Sequence, residues 1–323
     1  MTTELPGAYL EYPRRRYGMD HDRYAWSNMF DRPKVNWPNG ARVAVWVVAT
    51  LDWYPLNTPA KPFAVPGALD RPYPDFRHYS LRDYGSRVGI YRILRVMERH
   101  GGKATAMVAG AIAQRYPGLV RHLIGAGWEV GAAGLDMAHV HHGGLDPAQE
   151  ASWVRETIAS VRGASGQSVR GWISPARSES RATLDLIAAE GVGYVCDWAN
   201  DDMPYPIETK TGRLHAMPFA PEIGDFKVLL QYFRPLASYA QQLQDQFDAL
   251  YAESQDWGGR ILCVPLTPWV IGQPHRIRAL ADTLEAISRR PGVWFATGSE
   301  ILSAFLAGAA SAPSPPGPRA AST

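Results

Sequence analysis

Between Arg42 and Leu51 the chain reads Arg-Val-Ala-Val-Trp-Val-Val-Ala-Thr-Leu, almost without a polar side chain. A β-branched, apolar run with no in–out alternation is the pattern of a strand covered on both faces, as strands of parallel sheets are. Shorter runs of the same kind occur at 103–110, 128–132, 169–174, 193–197, 214–218, 260–266 and 293–296. Between them, apolar residues return at helical spacing. Ile90, Ile93, Leu94 and Met97 mark one helix, closed by Gly101-Gly102; others are expected over 111–126, 147–162, 180–190, 239–255 and 274–289. Strand and helix alternating about seven or eight times predict an α/β protein built as a distorted (β/α)7-8 barrel.

That pattern divides the chain. Residues 42–308 carry the barrel. Residues 1–41 form an irregular N-terminal arm rich in Pro, Tyr, Arg and Asp, whose Tyr17, Tyr24, Trp26 and Trp37 predict docking on the body or on a neighbouring subunit. Residues 309–323, dominated by Pro, Ser, Ala and Gly, cannot build a core and are expected to be disordered.

Composition narrows the partners. A net charge of +2 without long single-sign runs offers no attraction for nucleic acid or an anionic membrane, and no apolar stretch reaches the roughly 18 residues of a membrane helix. Cys196 and Cys263 belong to no Cys-x-x-Cys or Cys/His pattern and read as two reduced, buried thiols. With no secretory leader in Met-Thr-Thr-Glu-Leu-Pro-Gly, the protein is expected to be cytoplasmic.

In a parallel barrel the active site gathers at the C-terminal ends of the strands. That rule nominates Asp52 after the first strand, Asp136 and His139 after the third, Ser174 and Arg177 after the fourth, Asp197 after the fifth, and Thr267 and Trp269 after the seventh. Asp52 stands out because a carboxylate at the mouth of an apolar strand has little structural use. His139, His141 and His142 crowd one loop, but His-x-His-His lacks the partner carboxylate of a metal signature. Arg177 offers a forked donor for a carbonyl or carboxylate, and Ser174 a hydroxyl. Trp172 and Trp269 would wall the mouth with flat rings. No Gly-x-Ser-x-Gly elbow, phosphate loop or dinucleotide fingerprint occurs.

These residues lie among segments that resemble the polysaccharide deacetylase (NodB-homology) superfamily, and within it the branch of allantoinase-like and cyclic-imide-opening hydrolases. The resemblance is carried in order by Arg82-Asp-Tyr-Gly-Ser-Arg-Val-Gly89, Lys103-Ala-Thr105, Ala113-Gln-Arg-Tyr-Pro117, Gly125-Ala-Gly-Trp-Glu-Val130 and Gly171-Trp172. It continues through Tyr194 with Asp197, Asp201-Asp-Met-Pro-Tyr205 and Pro268-Trp-Val-Ile-Gly-Gln-Pro-His-Arg276. It implies a (β/α) barrel and hydrolysis of a non-peptide C–N bond. Metal-dependent members carry Thr-Phe-Asp-Asp after the first strand, where this chain has Thr50-Leu51-Asp52-Trp53. Their His-x-x-x-His places look like Ala133 and Met137, and their seventh-strand histidine like Thr267. The resemblance thus keeps the base and replaces the usual metal ligands.

The expected function is hydrolysis of a small cyclic amide, ureide or imide without the usual metal. Asp52, His139 and Arg177 are the catalytic candidates, as base, leaving-group acid and oxyanion donor. Asp136, Trp172, Ser174, Asp197, Thr267 and Trp269 are the substrate-binding ones. No cofactor is predicted; a zinc-like divalent ion would have to use a fallback set of Asp52, Asp136, His139 and His141. A metal-dependent carbohydrate N-deacetylase and a non-catalytic binding or scaffold barrel stand as alternatives. The expected partners are a small-molecule substrate and further copies in a homo-oligomer.

Overall fold

A computed structural model describes residue 21 and residues 23–57 and 74–310. Its nine strands are β1 (Val43–Leu51), β2 (Thr105–Val108), β3 (Glu129–Ala132), β4 (Gly171–Trp172), β5 (Tyr194–Val195), β6 (Tyr205–Ile207), β7 (Leu214–Ala216), β8 (Arg260–Leu266) and β9 (Val293–Phe295). They form one curled sheet in the order β6-β7-β5-β4-β3-β2-β1-β8, with β9 beside the first residues of β1. Every pairing is parallel except β6 with β7. The α/β class and barrel-like curl match the expectation. The sheet stays open, because no ladder joins β6 or β7 to β8 among the described residues.

The helices are α1 (Phe76–Tyr84), α2 (Ile90–Met97), α3 (Gly110–Arg115), α4 (Pro117–Gly125), α5 (Pro147–Ser165), α6 (Thr183–Ala189), α7 (Leu236–Trp257), α8 (Pro268–Ile271), α9 (Ile277–Ser288) and α10 (Gly298–Ala310). The single helix expected over 111–126 is two, since Pro117 has no N–H to continue α3 and instead starts α4. The antiparallel β6 escaped the sequence reading because Pro206 argues against a strand; the edge of the sheet tolerates it.

β1 explains how one strand serves two cores. Val43, Val45, Val47, Ala49 and Leu51 face the helices, in a cluster with Ile93, Met97 and Leu262. Ala44, Trp46 and Val48 face the inside of the curl, with Met107, Ala133, Tyr194, Cys263 and Ala296. A side-chain period of two makes this division obligatory. Each large apolar side chain so enclosed contributes about 1.5–3 kcal/mol. Where Trp46 meets polar surroundings, its Nε1–H donates to Thr105 Oγ1 at 2.9 Å.

Parts of the arm lie against the body. Val35 bridges to Gly258, Trp37 is 3% exposed and donates to the Arg260 carbonyl at 2.9 Å, and Arg32 pairs with Asp201 at 2.6 Å. Trp26, by contrast, is 71% exposed. Tyr17 and the tail beyond Ala310 lie outside the described residues. No helix among those described is long and apolar enough to cross a membrane.

Candidate active site

Thr50 and Asp52 continue the inward register of Ala44, Trp46 and Val48, so β1 delivers the Asp52 carboxyl directly above the inner core. On β8 the same alternation carries Ile261 and Cys263 inside and leaves Pro265 and Thr267 above them. Thr50, Asp52, Pro265 and Thr267 all line a cavity of about 260 Å³ at the C-terminal ends of the strands. Ser174, Arg177 and Trp269 share it, with Tyr54, Met137, Phe219, Asp225 and Lys227. Of the nominated side chains, the structure therefore brings together Asp52, Ser174, Arg177, Thr267 and Trp269.

Asp52 is half-buried, and no described residue hydrogen-bonds its carboxyl. Burial pushes its pKa up to about 6, against the pull of the Arg82 guanidinium. Arg82 comes from α1 and was missed by the strand-end rule. It lies over the Tyr54 ring at 4.3 Å and the Trp269 ring at 4.9 Å, and donates to the His78 carbonyl at 3.2 Å. Stacked between rings it keeps its charge near Asp52 without neutralising it. Trp269 is held there by a close approach: a Cβ on Gly89 would lie 2.0 Å from the Pro268 carbonyl oxygen, so only glycine lets the turn before α2 pack on α8.

Asp225 is the second carboxyl of the cavity and was also missed; the sequence reading passed over it because it follows a one-turn helix rather than a strand. It is 1% exposed and accepts from the backbone N–H of Thr267 (2.9 and 3.0 Å), Ile271 (3.1 Å) and Phe226 (2.8 Å). Burial raises its pKa to about 7, although those N–H groups pull the other way. Its bonds run to the chain carrying Thr267 and Trp269, which it positions.

The Ser174–Arg177 loop supplies the opposite wall. Trp172 is fully buried beneath it, and its Nε1–H donates to Ser174 Oγ at 2.9 Å. The Ser174 hydroxyl also reaches Asp197, and its hydrogen bond there opposes the rise in the Asp197 pKa that burial causes. Asp197 accepts from the Ser174 N–H at 2.8 Å and so acts on the loop from below. Beside it, burial and the Asp197 charge push the Glu179 pKa up to about 9. Trp172 and Asp197 therefore support the cavity wall and do not line the cavity.

The third-strand loop departs furthest from expectation. Asp136 turns back on its own segment, accepting from the Ala138 N–H at 2.8 Å and contacting His139 Nδ1 at 2.5 Å, while His139 packs edge-on against Trp153. Neither lines the cavity. His141 is fully buried, with Nδ1 2.9 Å from Glu150 Oε1. Burial opposes the charge of Glu150, but hydrogen bonds from His141, Ser180 and Thr183 hold its pKa below the usual range. The fallback metal set of Asp52, Asp136, His139 and His141 is thus dispersed. Three or more His, Cys, Asp or Glu side chains placed to hold an ion occur nowhere among the described residues. At the ligand places of metal-dependent members, Trp53 packs against Tyr79 and Tyr116, and Ala133 and Met137 are buried; none is a donor a hard cation would choose. The residues present do not fit the metal.

Comparison with known proteins agrees with this architecture. The family description "Polysaccharide deacetylase" matches residues 75–195. A putative polysaccharide deacetylase of Schizosaccharomyces pombe is 26% identical over 300 residues, spanning 84% of this chain and 92% of that protein. The crystal structure of PuuE allantoinase superposes with a TM-score of 0.77 at 26% identity, covering 92% of this chain and 98% of its own. A probable polysaccharide deacetylase from Pseudomonas aeruginosa PAO1 superposes with a TM-score of 0.76 at 25% identity, covering 91% and 98%. The chain thus matches the polysaccharide deacetylase family over residues 75–195, and nearly the whole of its curled, mostly parallel sheet fold is similar to those of an allantoinase and a probable polysaccharide deacetylase.

Proposed function

We propose that the protein hydrolyses the C–N bond of a small amide, ureide or imide, with Asp52 as the acid–base residue and without the metal used by metal-dependent members of the superfamily it resembles. The observation that carries this reading is the Asp52 carboxyl, unpartnered among the described residues and desolvated, just beyond the end of β1 above the inner core. A pKa of about 6 suits a group that must accept a proton near neutrality and then give it back.

In this mechanism Asp52 takes a proton from water as the water oxygen attacks the carbonyl carbon. The carbonyl oxygen gains the negative charge and is met by the Ser174 hydroxyl, which lines the cavity and turns to the oxygen from Asp197. Collapse of the tetrahedral species expels the nitrogen, which receives the proton held by Asp52. One carboxyl thereby serves as base and acid, which replaces the leaving-group role expected of His139. Hydrogen bonds alone supply the stabilisation, so a strained or activated ring is a better substrate than a simple acetamide. A cavity of about 260 Å³ favours a molecule of small-ring size over a sugar chain. Likeness to PuuE allantoinase supports the same class.

The test is turnover of allantoin, hydantoin and succinimide by protein purified without added metal, with and without chelator. Chelator-resistant hydrolysis that Asp52→Asn abolishes and His139→Ala leaves in place is the expected result. Stoichiometric bound zinc together with chelator-sensitive deacetylation would instead favour the metal-dependent alternative. No turnover of any amide, with Asp52→Asn changing nothing, would favour the scaffold.

A further inference from the structure

The loop from Ser174 to Ser178 holds its shape against an intrinsic cost. Ala176 and Arg177 both adopt left-handed backbone, with φ of 57° and 54°. Each such non-glycine residue costs about 1–3 kcal/mol, and strain of this kind collects where a ligand is clamped. Several attachments hold it. The Arg177 N–H donates to the Ser174 carbonyl at 2.7 Å, the Ser178 N–H to Pro175 at 3.1 Å and the Ser178 hydroxyl to the His141 carbonyl at 2.6 Å. Below, Pro175 sits so close to Gly134 that a Cβ there would come within 2.4 Å of its ring.

The side chain delivered by this strain is half-buried, lines the Asp52 cavity, and makes no ion pair or side-chain hydrogen bond with any described residue. The other cations at the cavity are committed. Arg82 lies over two aromatic rings, and Lys227 pairs with Glu222 at 3.2 Å. Arg177 is therefore the one uncommitted cation among the described cavity residues, and a guanidinium presents two parallel N–H groups that fit a carboxylate.

We propose that Arg177 is the specificity-determining residue of this cavity and that the substrate is an anionic amide, a cyclic ureide or imide bearing a carboxylate arm. The assignment rests on the hydrolase reading above. Two acids, Asp52 and Asp225, also line the cavity, so a carboxylate is favoured only at the Arg177 end. That fixes the orientation, with the reacting carbonyl toward Asp52 and the arm toward the loop. A phosphate would require a second uncommitted donor of charge, which the described walls lack.

The probes are hydantoin-5-acetate and its near-isosteric amide, hydantoin-5-acetamide, assayed with the full chain. Kinetics on the parent enzyme and calorimetric binding to the Asp52→Asn protein give two independent readouts. A preference for the acetate of about 30-fold is expected, carried by KM and Kd and not by kcat, as a charge-assisted forked contact predicts. Arg177→Gln should reduce that ratio to within about threefold, and Arg177→Lys should retain only part of it. Ala176→Gly, which removes the strain while keeping the guanidinium, should raise thermal stability and weaken the preference. An acetate preference equal in Arg177→Gln and parent, no preference in the parent, or no binding of either compound would each overturn the assignment. Arg177-dependent binding without turnover of either compound would sink the hydrolase reading alone.

Discussion

Replacing Asp52 by asparagine tests the central residue through stability as well as rate. Burial raises its pKa from the ordinary 3.8 to about 6. Because the folded value is the higher, protonated Asp52 is compatible with the fold and ionised Asp52 opposes it. Stability associated with this group is complete below pH 3.8 and is lost as pH rises through about 6. The difference is about two pH units, and at about 1.4 kcal/mol per unit the ionised carboxylate costs about 3 kcal/mol above pH 7. Asparagine copies the shape of the protonated acid and cannot ionise. Urea titrations at constant m should therefore show Asp52→Asn and parent alike near pH 3.5, diverging through pH 4–6. Above pH 7 the variant should be more stable by about 2–3 kcal/mol. Its kcat should fall by about 10²–10⁴, and the parent's kcat/KM should rise to a plateau with a midpoint near pH 6. A variant no more stable than the parent at pH 8 would refute the desolvated carboxylate, and with it the tuning on which the mechanism depends.

Other residues make separate predictions. Ser174→Ala removes the proposed oxyanion donor and should lower kcat by about 100-fold with KM little changed, checked by steady-state kinetics. Gly134→Ala places a methyl group 2.4 Å from the Pro175 ring at a φ of +59°, and should cost about 2–4 kcal/mol in denaturant unfolding. Glu150→Ala leaves His141, Ser180 and Thr183 without their shared acceptor inside the fold; a loss of about 3–5 kcal/mol is expected, read as a fall in the urea midpoint.

Strand positions, the parallel sheet and the cavity residues Asp52, Ser174, Arg177, Thr267 and Trp269 were legible in the chain. The strands, Asp52 and Thr267 follow from periodicity, since a strand buried on both faces can point its terminal side chains in only two directions; Ser174, Arg177 and Trp269 were nominated only by their places just after a strand. Along β1 the alternation from Ala44 to Asp52 sets that direction by itself. The third-strand loop carried no such period. Asp136 and His139 follow a strand just as Asp52 does, yet a local hydrogen bond from Ala138 to Asp136 folds them back on each other. His141 left no signal of its Glu150 partner nine residues away. Arg82 and Asp225 lie on a helix and beyond a one-turn helix, where no strand-end rule looks.

The sequence by itself determined the strands, the two-sided core and the acid at the top of β1, because these rest on the period of side chains along one segment. Which loop groups face that acid was decided only by the tertiary structure. Contacts such as Gly134 on Pro175, Gly89 on Pro268 and Asp225 on Thr267 join segments distant in the chain, and it is they that turn a polar side chain into the cavity or away from it.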